Sequence, residues 1–516
     1  MHPSQAKSIP ELTQLAAKKF SNKVAIEDRQ VQLTFQELEE QSNKASNGFI
    51  SLGLKEGDRV GIWAPNCYEW IVSALGVLKC GAILVPLNTR FKGQEADYII
   101  NKSSIKFLFT MENFLGINYS QMINKEKLQS LEKIIFFDKS SGEDSWKGFM
   151  NLSDDISSKP FNRSFGNLIA DIIFTSGTTG KPKGVVVSQN QNLRVFETWS
   201  HHVGLKEGDR YLIVNPFFHT FGYKAGWLSC LMRGATIIPH QIFEADSVLK
   251  MIQEKKINVL PGPPALYQSI MSSSNFNSFD ISTLNLAITG AASIPVQLIL
   301  DMKKIMGFKT VLTAYGLTES TGVVTMCSPE DDPEIIATTS GRAISGVEVK
   351  CLDDNGKEVD TGKPGEIFVK GYNVMQGYLD EKEQTRETID SEGWLKTGDI
   401  GILDDSGYLK ITDRSKDMYI VGGFNTYPAE IENILAKHKE IISSAVIGIT
   451  DKRLGEVGKA FVVVKKSTKL TEEELINWCR ENMANYKVPR EVVFLEELPL
   501  NAAGKVMKFK LRELVK

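Results

Sequence analysis

The chain has 516 residues, which at about 150 residues per domain predicts roughly three domains. Hydrophobic residues make up 42% and charged residues 24%, a composition that is typical of a soluble globular enzyme and excludes extensive disorder. The 60 Lys and Arg residues nearly balance the 63 Asp and Glu residues, leaving a net charge of -3. No overall positive field therefore favours binding to nucleic acid or to an anionic membrane.

The cysteines and the apolar segments indicate a cytoplasmic protein. The 6 cysteines are spread singly along the chain without a CxxC pair or a Cys/His cluster, so neither a disulfide framework nor a zinc site is predicted. The N-terminus lacks the apolar run of a signal peptide. Residues 71–87 are the most membrane-like segment, but they contain Lys79 and Pro86. They favour a buried helix, a turn at Gly81 and a strand over a transmembrane segment.

Helical and strand periodicities alternate along most of the chain, which is typical of α/β layers. Thr34 and Glu37 form a capping-box pattern, and the apolar residues that follow keep one helical face until Gly53. A strand is predicted over residues 59–64. Further strand–turn–helix units are predicted near residues 104–110, 134–137, 169–174, 211–214 and 257–260.

The chain from Gly365 onwards has its own pattern. Short strands and turn residues between Gly365 and Gly423 indicate a β-rich subdomain. Beyond it, the sequence predicts a helix over 428–436, strands over 443–449 and 459–466, and a helix over 471–483 capped by Thr471 and Glu474. We therefore expect a compact α+β unit of about 100 residues and place the domain boundary at Asp413–Lys416.

The strongest local motif is IIFTSGTTGKPKG at residues 172–184. A β-run ends at Phe174 and is followed by hydroxyl residues, glycines and lysines. Glycines let backbone N–H groups approach phosphate oxygens, hydroxyls add donors, and Lys181 and Lys183 supply positive charge. Pro182 stands where a Walker P-loop starting at Gly177 requires its second glycine, so this is a different kind of phosphate loop. The alternative is a flexible surface turn.

Three weaker motifs follow. In TAYGLTES, an aromatic ring (Tyr315), a hydroxyl (Thr318) and a carboxylate (Glu319) can stack on a base, bind phosphate and hold Mg²⁺, although a structural turn explains them equally well. In WLKTGDIG, Asp399 can accept ribose hydroxyls or can be a solvated turn residue. The segment from Lys505 to the C-terminus is basic, and alone it predicts a solvated or phosphate-attracting tail.

In this order, the motifs resemble the adenylate-forming (ANL) superfamily, which includes acyl-CoA synthetases and fatty-acid-CoA ligases, peptide-synthetase adenylation domains and luciferases. The resemblance runs from about Thr34 to the C-terminus. It implies an α/β fold with a large N-terminal domain of doubly wound sheets plus a distorted β-barrel (1–413), a hinge (414–416) and a small mobile α+β C-terminal domain (417–516). It also implies ATP-dependent activation of a carboxylic acid as an acyl-adenylate, with Mg²⁺, followed by transfer to coenzyme A.

The resemblance also implies roles for individual residues. The ATP-binding residues would be Thr175, Ser176, Gly177, Thr178, Thr179, Gly180, Lys181, Lys183, Gly290, Tyr315, Gly316, Thr318, Asp399, Arg414 and Lys505. Tyr315 matches the aromatic against adenine, and Asp399 and Arg414 match the ribose ligands. The catalytic residues would be Lys505, Glu319, Thr318 and His219, with Glu319 as the magnesium ligand and Thr175 as a second candidate. Gly422, Gly423 and Phe424 would bind coenzyme A.

Domain alternation is a further implication of the resemblance. Lys416 matches the family hinge, where the backbone rotates between the half-reactions. Lys505 would reach the phosphates in one orientation of the small domain, to stabilise the adenylation transition state. In the other orientation, Val421–Phe424 would approach the pantetheine channel.

The expected acid is apolar. Amino-acid adenylation domains carry an Asp in the region matching PFFHTFG, whereas this segment has Phe217, Phe218 and His219 and no acid follows before Glu244. His219 matches an aromatic position near the acyl and pantetheine passage, where it would gate; a packed loop histidine is the alternative. The acyl pocket would be lined by residues 218–227, 261–267 and 291–292.

Within that lining, Phe221, Tyr223 and Trp227 favour a bulky acid or belong to the core. Lys224 either serves a polar substrate group or, as we expect, is a surface lysine.

The segments at residues 214–227 and 420–432 are similar to bacterial ligases for the ring propanoates of steroid breakdown, and also to medium-chain, long-chain and alicyclic acid ligases. We expect a ring propanoate. Because 11 residues follow Lys505, free coenzyme A is the expected acceptor, and delivery to a carrier protein is the alternative. A non-catalytic nucleotide-binding homologue would be expected to lack Glu319, Asp399 or Lys505, and all three are present.

Overall fold

The computed structural model describes residues 1–155, 165–175, 181–290, 296–353, 355–414, 419–465, 468–499, 506 and 508–515. In this part of the chain, helices and strands alternate as the sequence periodicity predicts. Among the residues so described, none of the helices combines the length and the apolar character that crossing a membrane requires.

The α-helices vary from single turns to almost five turns. They are α1 (Ile9–Phe20), α2 (Phe35–Ser51), α3 (Tyr68–Lys79), α4 (Gly93–Lys102), α5 (Tyr119–Met122), α6 (Trp146–Asn151), α7 (Gln189–His202), α8 (Thr220–Gly222), α9 (Ser229–Arg233), α10 (Ala245–Lys255), α11 (Pro264–Met271), α12 (Val296–Lys304), α13 (Pro333–Thr338), α14 (Lys382–Thr388), α15 (Pro428–Leu435), α16 (Glu472–Asn482) and α17 (Lys508–Glu513). A π-helix over Tyr223–Leu228 separates α8 from α9.

The strands are mostly short. They are β1 (Val24–Asp28), β2 (Val31–Thr34), β3 (Arg59–Trp63), β4 (Ile83–Pro86), β5 (Ile105–Thr110), β6 (Lys133–Phe136), β7 (Ile169–Thr175), β8 (Lys183–Ser188), β9 (Arg210–Ile213), β10 (Thr236–Pro239), β11 (Leu286–Gly290), β12 (Thr310–Tyr315), β13 (Thr325–Met326), β14 (Arg342–Ala343), β15 (Val347–Leu352), β16 (Pro364–Gly371), β17 (Gly377–Tyr378), β18 (Leu395–Leu403), β19 (Leu409–Arg414), β20 (Tyr419–Val421), β21 (Phe424–Thr426), β22 (Ile441–Asp451), β23 (Gly455–Val464) and β24 (Glu491–Phe494).

Two large mixed sheets form the N-terminal part. One has the strand order β17-β8-β7-β4-β3-β5-β6, and the other joins β2-β1-β10-β9 to β11-β12-β13-β14 through bridges at Val259. An antiparallel sheet, β15-β16-β18-β19, follows. Parallel pairing of β3 with β4 and β5 is typical of doubly wound α/β layers. The fold class expected from the sequence is therefore confirmed.

The apolar segment at residues 71–87 is a buried helix, a turn and a strand, as predicted. α3 packs so closely against α2 that a Cβ on Gly76 would lie 2.8 Å from the Cβ of Ala45. Lys79 ends this helix in the interior, where its Nζ lies 2.8 Å from Glu39 and 2.9 Å from Asn43. The charge is therefore neutralised without access to solvent.

The small C-terminal domain has its own sheet, with the order β21-β20-β23-β22 and β24 beside β23. The Thr471 hydroxyl caps α16 and the Glu474 side chain returns the bond, which confirms the capping box read from the sequence. The sheet changes between β19 and β20, around residues 415–418, which lie outside the described residues. The boundary at 413 and the hinge at 414–416 stay predictions.

Two expectations are corrected by the structure. Residues 257–260 do not form a strand. Val259 alone is paired, through isolated bridges to Tyr211 on one side and Leu286 on the other, and one paired residue is too short for a strand. In addition, the strand at 169–174 is not followed directly by a helix. It pairs with the antiparallel β8, and α7 comes only after that hairpin.

Candidate active site

Glu319 lies at the centre of a polar cluster formed by three separate elements. It belongs to a single turn of 3₁₀-helix after β12, and its Oε1 accepts hydrogen bonds from the Tyr378 hydroxyl at 3.0 Å and the Thr175 hydroxyl at 3.4 Å. Loss of hydration raises the pKa of Glu319, while these two donors and the charge of Lys183 act in the opposite direction. This cluster brings the predicted Thr175, Lys183 and Glu319 together.

The cluster suits a magnesium ion. Mg²⁺ prefers oxygen ligands and is commonly held by one or two carboxylates together with substrate phosphates. Glu319 supplies the carboxylate, and Thr175, the last residue of β7, supplies a hydroxyl beside it. Lys183, the first residue of β8, is paired in register with Thr175, so its positive charge lies at the same end of the β7–β8 hairpin. These residues fit the binding of a Mg²⁺–polyphosphate.

Tyr378 is the residue that the sequence motifs missed. Its hydroxyl donates to Glu319, and the Lys183 ammonium lies 5.0 Å from the centre of its ring. Burial and the neighbouring carboxylate raise the pKa of Tyr378, so the phenol stays protonated as a donor. The strand β17 brings it in by pairing with β8, and no local spacing in the sequence links it to Glu319.

A second pair lies at the end of β12. The Tyr315 hydroxyl donates to Asp399 Oδ2 at 2.7 Å, which brings the predicted adenine-stacking ring and ribose ligand into direct contact. Asp399 pairs in register with Arg414 on the neighbouring antiparallel strand. Gly290 pairs with Ala314, so it reaches the same sheet edge; a Cβ there would lie 2.8 Å from the Ala314 carbonyl oxygen.

Gly316 and Thr318 shape the loop after β12. A Cβ on Gly316 would lie 2.3 Å from the carbonyl oxygen of Gly322, so the loop folds back on itself where only glycine fits. Thr321 adopts a left-handed conformation with φ 56° and its N–H donates to the Thr318 carbonyl. This tight turn orients the Thr318 and Glu319 side chains at the end of the sheet.

His219 begins the segment expected to line the acyl pocket. It is the N-cap of α8, where its Nδ1 accepts from the Phe221 N–H at 3.2 Å. The protein packed around the imidazole lowers the pKa of His219, and the neutral ring is the form whose Nδ1 can accept the Phe221 N–H. His219 is therefore a neutral imidazole near pH 7, held in place by the helix cap.

The aromatic residues beyond His219 divide into two groups. Tyr223 and Trp227 are fully buried and stack at 4.7 Å between ring centres, so they belong to the core. Phe221 is only partly buried. The residues 291–292, also expected in the acyl pocket, lie outside the described residues.

Lys224 corrects the expectation of a surface lysine. Its side chain is completely buried, and Nζ lies 2.9 Å from Asp171 Oδ1, which is equally buried. Burial lowers the pKa of Lys224, and Asp171 opposes that change. Asn192 Nδ2 donates to the other Asp171 oxygen at 2.6 Å. The surface interpretation is wrong because the π-helix turns Lys224 inward towards β7.

The predicted coenzyme A residues form a tight hairpin turn at the domain interface. Gly422 and Gly423 have φ values of 56° and 89° between β20 and β21, as a type I′ turn requires. A Cβ on Gly423 would lie 3.6 Å from Pro263 at the start of the predicted acyl-pocket segment α11. Phe424 stacks on Tyr486, and the Arg90 guanidinium lies 4.4 Å from its ring centre.

Several predicted residues are not part of this geometry. Ser176–Gly180 of the phosphate loop, Lys416 and Lys505 lie outside the described residues. Lys181 is described and exposed beside the loop. Only the backbone of Arg414 is described. The roles assigned to these residues, and to the site residues in general, stay predictions.

Comparisons with known proteins match both parts of the chain to one enzyme family. Residues 13–379 match the model of the AMP-binding enzymes, and residues 430–505 match the C-terminal domain of AMP-binding enzymes. The chain is 43% identical, over 99% of both chains, to a 3-[(3aS,4S,7aS)-7a-methyl-1,5-dioxo-octahydro-1H-inden-4-yl]propanoyl:CoA ligase of Rhodococcus jostii. It is 44% identical, over 95% of this chain and 94% of the relative, to the ligase of the same name from Mycobacterium tuberculosis.

More distant relatives and solved structures extend this picture. A human mitochondrial medium-chain acyl-CoA ligase is 32% identical over 94% of this chain and 83% of that protein. The o-succinylbenzoate CoA synthetase of Bacillus subtilis, a double mutant bound with a product analogue, superposes with a TM-score of 0.84 at 27% identity, covering 97% of this chain and 98% of that one. Its complex with AMP gives 0.68, covering 97% of both chains. The chain belongs to the AMP-binding enzymes of the adenylate-forming superfamily, among their acyl-CoA ligases.

Proposed function

We propose that the protein ligates a ring propanoate of the steroid-breakdown type to coenzyme A, with ATP and Mg²⁺, through an acyl-adenylate. The observation that carries the substrate assignment is the full-length similarity, at 43% and 44% identity, to two ligases named for a dioxo-octahydroindenyl propanoate. The polar cluster around Glu319 and the Tyr315–Asp399 pair support the adenylating chemistry.

The first step joins the acid to AMP. A carboxylate oxygen of the substrate attacks the α-phosphorus of ATP, and the bond to the β-phosphate oxygen breaks to release pyrophosphate. Glu319 and Thr175 would hold a Mg²⁺ ion, which would neutralise charge on the phosphates. Tyr315 and Asp399 hold the adenosine, and Lys505 from the small domain stabilises the transition state. Positioning and electrostatic stabilisation provide the acceleration, as in phosphoryl transfer generally.

The second step transfers the acyl group. The coenzyme A thiolate attacks the activated carbonyl, and AMP leaves because it is a much better leaving group than oxide. Gly422 and Gly423, without side chains, leave room for the pantetheine arm beside Pro263. A neutral His219 at the N-cap of α8 stands at the start of the acyl segment and gates the passage.

The charge of the acyl segment supports an apolar acid. Between Phe217 and Phe243 the sequence contains no carboxylate that could pair with a substrate ammonium. The lysine in this segment, Lys224, is already neutralised by Asp171. The uncharged ring of such an acid would therefore contact no unpaired charge among these residues.

We also propose that the enzyme works in the cytoplasm. All cysteines (Cys67, Cys80, Cys230, Cys327, Cys351 and Cys479) are buried free thiols, which suits a reducing compartment.

The test is a substrate panel. Purified protein with MgATP and coenzyme A is given acids from acetate to palmitate, alicyclic acids and the dioxo-octahydroindenyl propanoate, and both pyrophosphate and acyl-CoA are measured. We expect kcat/KM for the ring propanoate to exceed that for octanoate by about 100-fold, as a well-filled apolar pocket allows.

A smooth optimum along the fatty acids would instead make the protein a medium-chain or long-chain ligase. Pyrophosphate without acyl-CoA would indicate delivery to a carrier protein, and no pyrophosphate from any acid would contradict the proposed activity.

A further inference from the structure

Lys487 of the small domain is buried against a carboxylate of the large domain. Its Nζ lies 2.5 Å from Glu95 Oε1, in the first turn of α4, and 2.5 Å from Glu430 Oε1, in the first turn of α15. Side-chain exposure is 1% for Lys487, 8% for Glu95 and 5% for Glu430. An ion pair that joins two domains is rarely so fully buried, and breaking one from a single side is costly.

The contact belongs to a larger interface. The Lys487 ammonium lies 4.8 Å from the ring centre of Phe91, and Lys437 Nζ lies 3.1 Å from Gln94 Oε1. With Arg90 against Phe424, the start of α4 and the loop before it therefore meet the small domain through charged, polar and aromatic contacts. The Gly422–Gly423 turn lies against Pro263 in the same arrangement.

Glu95 and Lys487 each have a second partner within their own domain, so they tolerate separation. Glu95 Oε2 also accepts the Lys92 N–H at the N-terminus of α4, where the helix dipole favours negative charge. Lys487 keeps Glu430 as a partner within its own domain. When the domains separate, neither Lys487 nor Glu95 is left as an isolated buried charge. The pair can therefore form and break reversibly.

The charges around Lys487 favour its ammonium form. Burial acts to lower the pKa of Lys487, but Glu430, Tyr486 and Glu95 outweigh it and raise that pKa above its ordinary value. Burial raises the pKa of Glu430, and Lys487 opposes this. Lys487 is therefore held as the ammonium that both carboxylates contact.

We propose that the Lys487–Glu95 pair is a latch that holds the small domain in the orientation where the Gly422–Gly423 turn faces the acyl pocket, so that Lys487 and Glu95 are positioning residues for thioester formation. This inference rests on the proposed two-step function. It adds that the latch acts on the second half-reaction alone. In the proposed function, Lys505 approaches the phosphates during adenylation in a different orientation of the small domain.

The test separates the two half-reactions in Glu95→Gln. Glutamine retains the capping box of α4, which accepts Glu or Gln at this position, but removes the charge that Lys487 contacts. We expect single-turnover thioester formation from supplied acyl-adenylate and coenzyme A to slow about tenfold, as a shift of a two-state equilibrium by that factor requires. Acid-dependent ATP–pyrophosphate exchange should stay within about twofold, and Glu95→Asp, which keeps the charge, should fall between.

Lys102→Gln is the matched control. It removes the 2.7 Å ion pair with Glu381 at the other end of the same helix, a pair within the large domain, so both half-reactions should be unchanged. Equal slowing of both half-reactions in Glu95→Gln, or no slowing of thioester formation, would overturn the latch. Pyrophosphate exchange in the unmodified protein is the separate check on the proposed function, because its absence would refute adenylation without bearing on the latch.

Discussion

The hydroxyl of Tyr315 donates a 2.7 Å hydrogen bond to Asp399, and this bond joins the end of β12 to β18. The two residues come from different sheets and carry the roles proposed for the adenine ring and the ribose. Because one bond fixes both side chains, the proposed adenosine pocket would be organised before the nucleotide arrives.

Tyr315→Phe removes this bond and keeps the ring. We expect KM for MgATP to rise about five- to tenfold, which corresponds to the net contribution of one ordinary hydrogen bond, while KM for coenzyme A is unchanged. Steady-state kinetics measure both constants. Tyr408→Phe is the control, since it removes a tyrosine–aspartate bond to Asp331 away from the proposed site. Equal effects of the two substitutions would argue against a nucleotide role for Tyr315.

Glu319 should set the acid limb of adenylation. Burial raises the pKa of Glu319 in the free protein, so kcat/KM for MgATP, which reports the free enzyme, should fall as pH drops through that raised value. Tyr378→Phe removes a donor that favours the ionised form and should move the limb to still higher pH.

The position of the acid limb is measured from pyrophosphate release between about pH 4.5 and pH 8. This range lies above the ordinary carboxyl pKa, as a raised pKa requires. Glu319→Gln should lower the rate about 100-fold or more, because the proposed magnesium ligand is lost. A limb that stays in place in Tyr378→Phe would contradict this assignment.

Lys505→Ala should impair adenylate formation and spare thioester formation, the reverse of the effect expected for Glu95→Gln. Adenylate formation should be abolished, since the charge that stabilises the transition state is removed, whereas thioester formation from supplied acyl-adenylate is spared. Lys510→Ala, an exposed basic residue of α17, controls for the loss of positive charge in this segment. Equal loss of both half-reactions would refute the assignment.

The Lys224–Asp171 pair should be a determinant of stability. Lys224→Met leaves the Asp171 carboxylate buried without its cation, so the free energy of unfolding should fall by about 3–5 kcal/mol. The double substitution Lys224→Met with Asp171→Asn removes both charges and should recover most of that loss. Urea denaturation followed by fluorescence compares the three proteins. A double variant as unstable as Lys224→Met would show that the charge pair is not the cause.

Local signals predicted the parts of the site that lie along one stretch of chain. The capping boxes at Thr34 and Thr471 are present as read, because each depends on residues three positions apart. The α/β layering follows from hydrophobic periodicity in the same way. The motif around Glu319 and the run that starts at Thr175 each carry their chemistry within a few residues, so their composition is visible before folding.

The sequence by itself therefore determined the layers, the caps and the residue types of the nucleotide site. Only the tertiary structure decided that Tyr378 bonds Glu319, that Lys224 faces Asp171 in the core, and that Lys487 meets Glu95 across the domain interface. The physical reason is the same in each case. These partners lie far apart in the chain, and sheet pairing, an inward-turned π-helix or domain packing sets their distance, which hydrophobic periodicity does not encode.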